Sequence, residues 1–147
     1  LDAFLGDSCP SHLMTREAFS SMKRILKPEG VLVINTFADL HRNDFFGASL
    51  HKTLTNVFTS VRIHAGRNGN TLFVCSAKPQ LSIVNPPDYT GVYEGCLGLV
   101  KDAFASLREP DPRHGIILTD DYNPVEFYDA GNREALRKNL ALYAKGR

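Results

Sequence analysis

Cysteine is scarce in this sequence, and neither the cysteines nor the histidines form a metal-binding pattern. Cys9, Cys75 and Cys96 are odd in number and lack Cys-x-x-Cys spacing. This argues against a disulfide framework and against a zinc site, and it is typical of a reducing compartment. None of the five histidines lies four residues from another, as paired zinc ligands on a helix do. We therefore expect no metal site and a cytoplasmic location.

The sequence also has little net charge and no long apolar run. Its net charge is +1, so no strong field is available to attract nucleic acid or an anionic membrane. No stretch of about 18 apolar residues occurs, which predicts the absence of a transmembrane helix. The first residues lack the basic and apolar regions of a signal peptide. We expect neither nucleic acid nor a membrane as a partner.

A glycine-rich nucleotide-binding turn is the third absence. Neither G-x-G-x-x-G nor a P-loop is found in the 147 residues, so the turn that lets a nucleotide approach a helix N-terminus is missing. A doubly wound sheet normally has a first half that carries such a turn. The chain opens without Met on a short apolar stretch. We therefore expect the middle of a longer fold, without activity on its own.

The apolar pattern that is present predicts an α/β structure. Residues 1–4 are typical of the end of a buried strand, and Thr15 is a good cap for a helix that Pro28 stops. Residues 31–37 begin as a continuous apolar run, which favours a strand buried on both faces in a parallel sheet. Strand, helix and strand in this order predict a right-handed β-α-β unit.

A second helix and a hairpin complete the predicted sheet. Apolar residues at helical spacing predict a helix over about 47–58. Alternation in residues 60–65, the Asn-Gly signal in 67–70 and the apolar run 71–77 predict an antiparallel hairpin. The predicted order is therefore β-α-β-α-β-β.

The second part of the chain is predicted to be mainly helical. Three prolines mark residues 79–87 as a linker, and a helix is predicted over about 92–107. Residues 116–130 contain a short apolar run followed by turn residues. The last helix is predicted to begin after Asn132, which is a favourable cap.

The predicted topology indicates where a ligand binds. In open α/β sheets, ligands bind at the carboxyl ends of the parallel strands. Those ends are residues 2–7 and 35–39. We therefore expect the chemistry around Asp2, Asp7, Asn35 and Thr36.

Three stretches resemble the spermidine synthase family, which has the class I S-adenosylmethionine-dependent methyltransferase fold. They are "GDSCPSHLMTREAF", "LKPEGVLVIN" and "LTDDYNPVEFY". The resemblance covers residues 1–77 and, more loosely, 116–127. It implies that residues 1–78 are a partial Rossmann-like catalytic domain, from its fourth strand onward. Residues 79–147 are then a helical extension packed on the same domain.

The resemblance implies a fragment of an aminopropyltransferase of polyamine biosynthesis. In that family an acid at the end of the fourth strand positions and deprotonates the attacking amine, and Asp2 matches it. The family uses decarboxylated S-adenosylmethionine or S-adenosylmethionine, which we expect this chain not to bind alone. The other implied site residues are Ala3 for the cofactor and, for the polyamine, Asp7, Asp120, Asp121 and Tyr122.

Two other functions fit the same residues. One is a methyltransferase fragment of the same fold, acting on another acceptor. The other is a non-catalytic dimerisation module, since the edge strand at residues 1–4 is a template for pairing. We expect a homodimer with twofold symmetry, or coverage of that edge by the C-terminal helices. The structural alternative to their site roles is that Asp2 caps a turn or helix and that Asp120 and Asp121 are turn residues.

Overall fold

The computed structural model describes residues 1–2, 10–38, 40, 44–66, 70–108 and 112–145, which form a mixed α/β structure. In chain order its elements are α1 (Arg16–Ile25), β1 (Val31–Phe37), α2 (Phe45–Val57), β2 (Ser60–Ala65), β3 (Asn70–Ser76), α3 (Glu94–Ala105), β4 (Leu107–Arg108) and α4 (Val125–Lys145). Short 3-10 turns lie at Ser11–Leu13 and Pro112–His114.

The four assigned strands form one sheet in the order β1-β3-β2-β4, and every assigned pairing is antiparallel. Phe73 of β3 lies opposite both Ile34 of β1 and Ile63 of β2. The predicted hairpin of β2 and β3 is therefore confirmed. The two-residue strand β4, which pairs with β2, was not predicted.

We predicted that β1 is buried on both faces within a parallel sheet. This is wrong for the pairing of β1 with β3. Val31 and Val33 are 49% and 40% exposed, and β1 runs antiparallel to β3. The reason is the hairpin, because the chain reverses after β2 and brings β3 back beside β1.

Leu1 lies against the other edge of β1. Its ammonium group donates to the carbonyl of Val33, and its own carbonyl accepts from the Asn35 amide at 3.0 Å. One residue bonded to two partners that are two positions apart is the pattern of a parallel bridge. Residues 3 and 4 of the predicted strand lie outside the described residues.

Local signals explain the two helices that cover the sheet. The hydroxyl of Thr15 accepts the Ala18 amide at 3.1 Å, so Thr15 caps α1 as predicted. Asp44 caps α2 in the same way, by accepting the Phe46 amide at 3.0 Å. The helix predicted over 47–58 is confirmed, although it begins two residues earlier.

The core lies between one face of the sheet and these helices. It contains Ile34, Ile63, Phe73 and Cys75 from the strands, Phe19 from α1, and Phe46, Leu50 and Leu54 from α2. Leu118 and Val125 from the late part of the chain also belong to it. The stretch after residue 115 is thus part of the core.

The prediction that the last helix starts after Asn132 is wrong, since α4 begins at Val125. Asn123 accepts the Val125 amide at 3.2 Å, and Pro124 precedes the helix, so the residues taken for a turn form its cap. Val125 and Asp129, four positions apart, are both buried. Helix α3 lies within its predicted range.

Residues beyond 78 contact the sheet through α3. His64 of β2 has Nδ1 2.9 Å from the carbonyl oxygen of Phe104, and the two rings are stacked 5.8 Å apart. The division of the chain into a catalytic part and a helical extension at residue 78 stays a prediction.

Candidate functional site

An acidic side chain meets an amide at the edge of the sheet. Asn35 of β1 donates from Nδ2 to Oδ1 of Asp2 at 3.2 Å. The two residues are neighbours because Leu1 is bonded to the backbone of β1 on either side of Ile34. Asp2 is exposed, whereas Asn35 is half-buried. The carboxylate is therefore held by the protein on one side and open to solvent.

The side-chain oxygen of Asn35, next to the amide nitrogen that bonds to Asp2, is a second hydrogen-bonding atom. Its Oδ1 is buried and has no hydrogen-bond partner among the described residues. An amide oxygen and a carboxylate are both acceptors, so together they suit a ligand that donates N–H groups or carries positive charge. Sequence reasoning placed Asn35 near the ligand end of a strand but did not predict its contact with Asp2, because a strand-ending Asn has no distinctive motif.

Asp120, Asp121 and Tyr122 lie together on a tight exposed turn. The Thr119 amide donates to the Tyr122 carbonyl at 3.1 Å, and the Tyr122 amide donates back to the Thr119 carbonyl at 3.2 Å. The three side chains are exposed, Tyr122 by 65%. The turn signature of this stretch is confirmed.

The chain before this turn is attached to both helices of the core. The Ile116 amide donates to Oγ of Ser49 at 3.1 Å, and the Leu118 amide donates to Oγ1 of Thr53 at 2.9 Å. The carbonyl of Leu118 accepts the amide of Arg16 at 2.8 Å. The turn is thereby held beside the start of α1.

Glu17 provides a further contact to the turn. Its Oε2 accepts the Asp120 amide at 3.1 Å, and its Oε1 accepts from Arg16 at 2.6 Å. The Arg16 hydrogen bond lowers the pKa of Glu17 below its ordinary value of 4.5. Sequence reasoning did not find this contact, because it spans 103 positions.

The predicted site residues therefore fall into two described groups. Asp2 is paired with Asn35, and Asp120 to Tyr122 form one turn. Among the described residues, no hydrogen bond or ion pair joins Asp2 or Asn35 to the turn at Asp120 to Tyr122. Asp7 and Ala3 lie outside the described residues.

The described parts of the chain contain neither a metal-binding cluster nor a helix that could cross a membrane. There, no three side chains of His, Cys, Asp or Glu come together in a way that holds a metal ion. None of the described helices has both the length and the apolar character needed to cross a membrane.

Comparison with known proteins gives a partial match. Over 38 residues the chain is 55% identical to a polyamine aminopropyltransferase of Vibrio vulnificus (strain CMCP6). The match covers 26% of this chain and only 13% of that protein. No protein-family model and no solved structure matches the chain.

Proposed function

We propose that this chain is part of a spermidine synthase-like aminopropyltransferase and carries the acidic part of its amine site. The observation that carries the proposal is the exposed carboxylate of Asp2, held by the amide of Asn35 at 3.2 Å. The partial match to a polyamine aminopropyltransferase and the resemblance of the three sequence stretches support the same function.

A Rossmann-like arrangement is the finer fold that we propose with this function. The parallel-bridge pattern between Leu1 and β1 supports it, because neighbouring parallel strands bond to each other in this way. The antiparallel β3 then follows β1 in the sheet. In such a sheet Asp2 and Asn35 lie towards the carboxyl ends of adjacent strands, where ligands bind.

The reaction needs a base and a cation site. The amine nitrogen bonds to a carbon next to a sulfonium sulfur, the carbon–sulfur bond breaks with its electron pair going to sulfur, and the nitrogen loses a proton. An alkyl amine is protonated at neutral pH and must lose a proton before it attacks. We propose that the carboxylate of Asp2 holds the cationic amine and accepts this proton, while Asn35 orients the carboxylate.

An S-adenosylmethionine-derived donor supplies the electrophilic carbon when it is bound. The exposed carboxylate of Asp2 fits a positively charged group beside it. Asp120 and Asp121 are two exposed carboxylates on one turn, and Tyr122 adds a hydroxyl next to them. We propose that this turn binds the second positive charge of a polyamine.

The test is the transfer rate of the longest gene product that contains this chain. We expect Asp2→Asn to lower the rate of transfer to a diamine by about 100-fold, the lower end of the usual effect of a general base. Asp88→Asn is the matched control, since Asp88 is also an exposed aspartate, and its carboxylate bonds, among the described residues, to Thr90 nearby.

Mass spectrometry of the products separates the possible outcomes. An aminopropylated diamine in the unmodified protein, strongly reduced in Asp2→Asn but not in Asp88→Asn, supports the proposal. A methylated product identifies a methyltransferase instead. Full aminopropyl transfer by Asp2→Asn contradicts the assignment of the base.

A further inference from the structure

The side-chain amide of Asn35 has an acceptor that its surroundings leave without a hydrogen bond. Asn35 lies on β1 between Ile34 and Thr36, which are both fully buried, so its side chain is on the opposite face of the sheet from the core. Its Oδ1 is buried and has no hydrogen-bond partner in the part of the chain that the structure describes. Most buried polar atoms in proteins do have such a partner.

This unpaired oxygen lowers the stability of the folded protein. Burial separates Oδ1 from water, and a buried acceptor without a donor is unfavourable. A valine would avoid this cost, because β-branched side chains suit a half-buried strand and the neighbour opposite Asn35 on β3 is Leu72. The bond from Nδ2 to Asp2 uses the other end of the amide and leaves the cost in place. A ligand that supplies an N–H group removes it.

The unpaired oxygen also lies close to the carboxylate of the candidate base. Nδ2 of the same amide donates to Oδ1 of Asp2 at 3.2 Å, and the two ends of an amide group are about 2.2 Å apart. The two acceptor oxygens are therefore at most about 5.4 Å from each other. Two hydrogen bonds of about 2.9 Å from one nitrogen span such a distance. Asp2 is exposed and Asn35 only half-buried, so the pair lies at the surface.

We propose that Oδ1 of Asn35 is a second binding group for the ammonium held by Asp2, so that the site selects nitrogens with at least two N–H bonds. This inference rests on the proposed function. A primary or secondary ammonium can donate one N–H to the carboxylate of Asp2 and another to Asn35. A trialkylammonium has a single N–H, which the carboxylate takes, so it gains nothing from Asn35.

The size of the effect follows from the charge of the donor. A hydrogen bond between a charged and a neutral group is worth about a tenfold change in an equilibrium constant. We expect a change of this size in the preference for a primary ammonium over a trialkylammonium. Both ligands use Asp2, so a change in the orientation of that carboxylate affects the two alike and cancels in their ratio.

The experiment measures binding to the longest gene product that contains this chain, by isothermal titration calorimetry. The probes are the terminal diamine of butane and its derivative with two methyl groups on each nitrogen. Asn35→Val and Asn35→Ala both remove the acceptor. Asn56→Ala is the matched control, because Asn56 is an exposed asparagine of α2.

We expect both Asn35 variants to weaken binding of the unmethylated diamine about tenfold, and binding of the methylated one by less than about twofold. Asn56→Ala should change neither. Equal losses for the two diamines, in a protein that binds them, overturn the inference and leave the proposed function intact. A parent protein that does not bind the unmethylated diamine overturns the proposed function, and the inference with it.

Urea unfolding of the same variants gives a readout that does not depend on a ligand. Because Asn35→Val removes an unpaired buried acceptor, we expect its urea midpoint to rise by about 0.5 M while its affinity for the unmethylated diamine falls. A purely structural role for Asn35 lowers the midpoint instead. A lower midpoint for Asn35→Val therefore contradicts the unpaired acceptor on which the inference depends.

Discussion

The hydroxyl group of Thr53 holds the late segment of the chain on α2, and its removal tests how that segment is attached. Thr53 is fully buried. Its Oγ1 donates to the Ser49 carbonyl at 2.7 Å and accepts the buried Leu118 amide at 2.9 Å. Thr53→Val retains the shape of the side chain but leaves the Leu118 N–H without an acceptor.

The expected loss of stability follows from these two bonds. A net intramolecular hydrogen bond contributes about 1 kcal/mol, and an unsatisfied buried N–H group costs about 1–3 kcal/mol. The Ser49 carbonyl also accepts within the helix, so the orphaned amide dominates. We expect the free energy of unfolding to fall by about 2 kcal/mol. With a urea m-value of about 2 kcal/mol/M, the midpoint then falls by about 1 M.

Thr55→Val is the matched control for this substitution. Thr55 lies on the same helix and is exposed, and its hydroxyl donates to the carbonyls of His51 and Lys52 within that helix, at 3.0 and 3.1 Å. We expect a change within about 0.5 kcal/mol, as is usual for surface positions. Urea unfolding followed by circular dichroism compares the two. Equal midpoints for the two variants would refute the attachment of Leu118 through Thr53.

Three further results are expected. Thr15→Ala removes the cap of α1 and should lower the free energy of unfolding by about 1 kcal/mol in the same urea assay, whereas Thr15→Ser should not. The pKa of Glu17 is lowered, mainly by the Arg16 hydrogen bond, so the contribution of Glu17 to stability is present above its ordinary pKa of 4.5 and is lost as the pH falls through the lowered pKa. The protein should therefore be more stable than the Glu17→Gln variant at neutral pH but not in acid. A stability difference between the two that does not vary with pH would contradict this. Burial raises the pKa of Cys75 to about 12, so iodoacetamide at pH 8 should alkylate the exposed Cys96 and leave Cys75 unmodified until urea is added. Peptide mass spectrometry measures this, and alkylation of Cys75 in the folded protein would contradict its burial.

Local signals predicted part of the candidate site. The turn at Asp120 and Asp121 was identified from neighbouring residues in the sequence, whereas Asp2 was selected through the predicted topology and the family resemblance and stays a prediction. The contact between Glu17 and the Asp120 amide was not identified, and neither was the role of Asn35. Both depend on residues that are more than thirty positions apart, 103 for Glu17 and 33 for Asn35.

The sequence by itself determined α1, α2 and the hairpin of β2 and β3. Each depends on a pattern within a few neighbouring residues, such as the Thr15 cap of α1 and the alternation of residues 60–65. The predicted start of the last helix failed because Asn132 is also a good cap by local criteria. In the folded protein Asp129 and Arg133 form an ion pair at 3.1 Å on either side of that position, and the helix continues through it.

Only the tertiary structure decided where the late segment lies. Leu118 is fully buried and Val125 nearly so, and their burial against α2 and the neighbouring core outweighs the turn preference of the residues around them. The same docking brings Asn123 to Ser11 and the Asp120 turn to α1. No local pattern encodes these contacts, because they depend on the surface that the helices and the sheet form together.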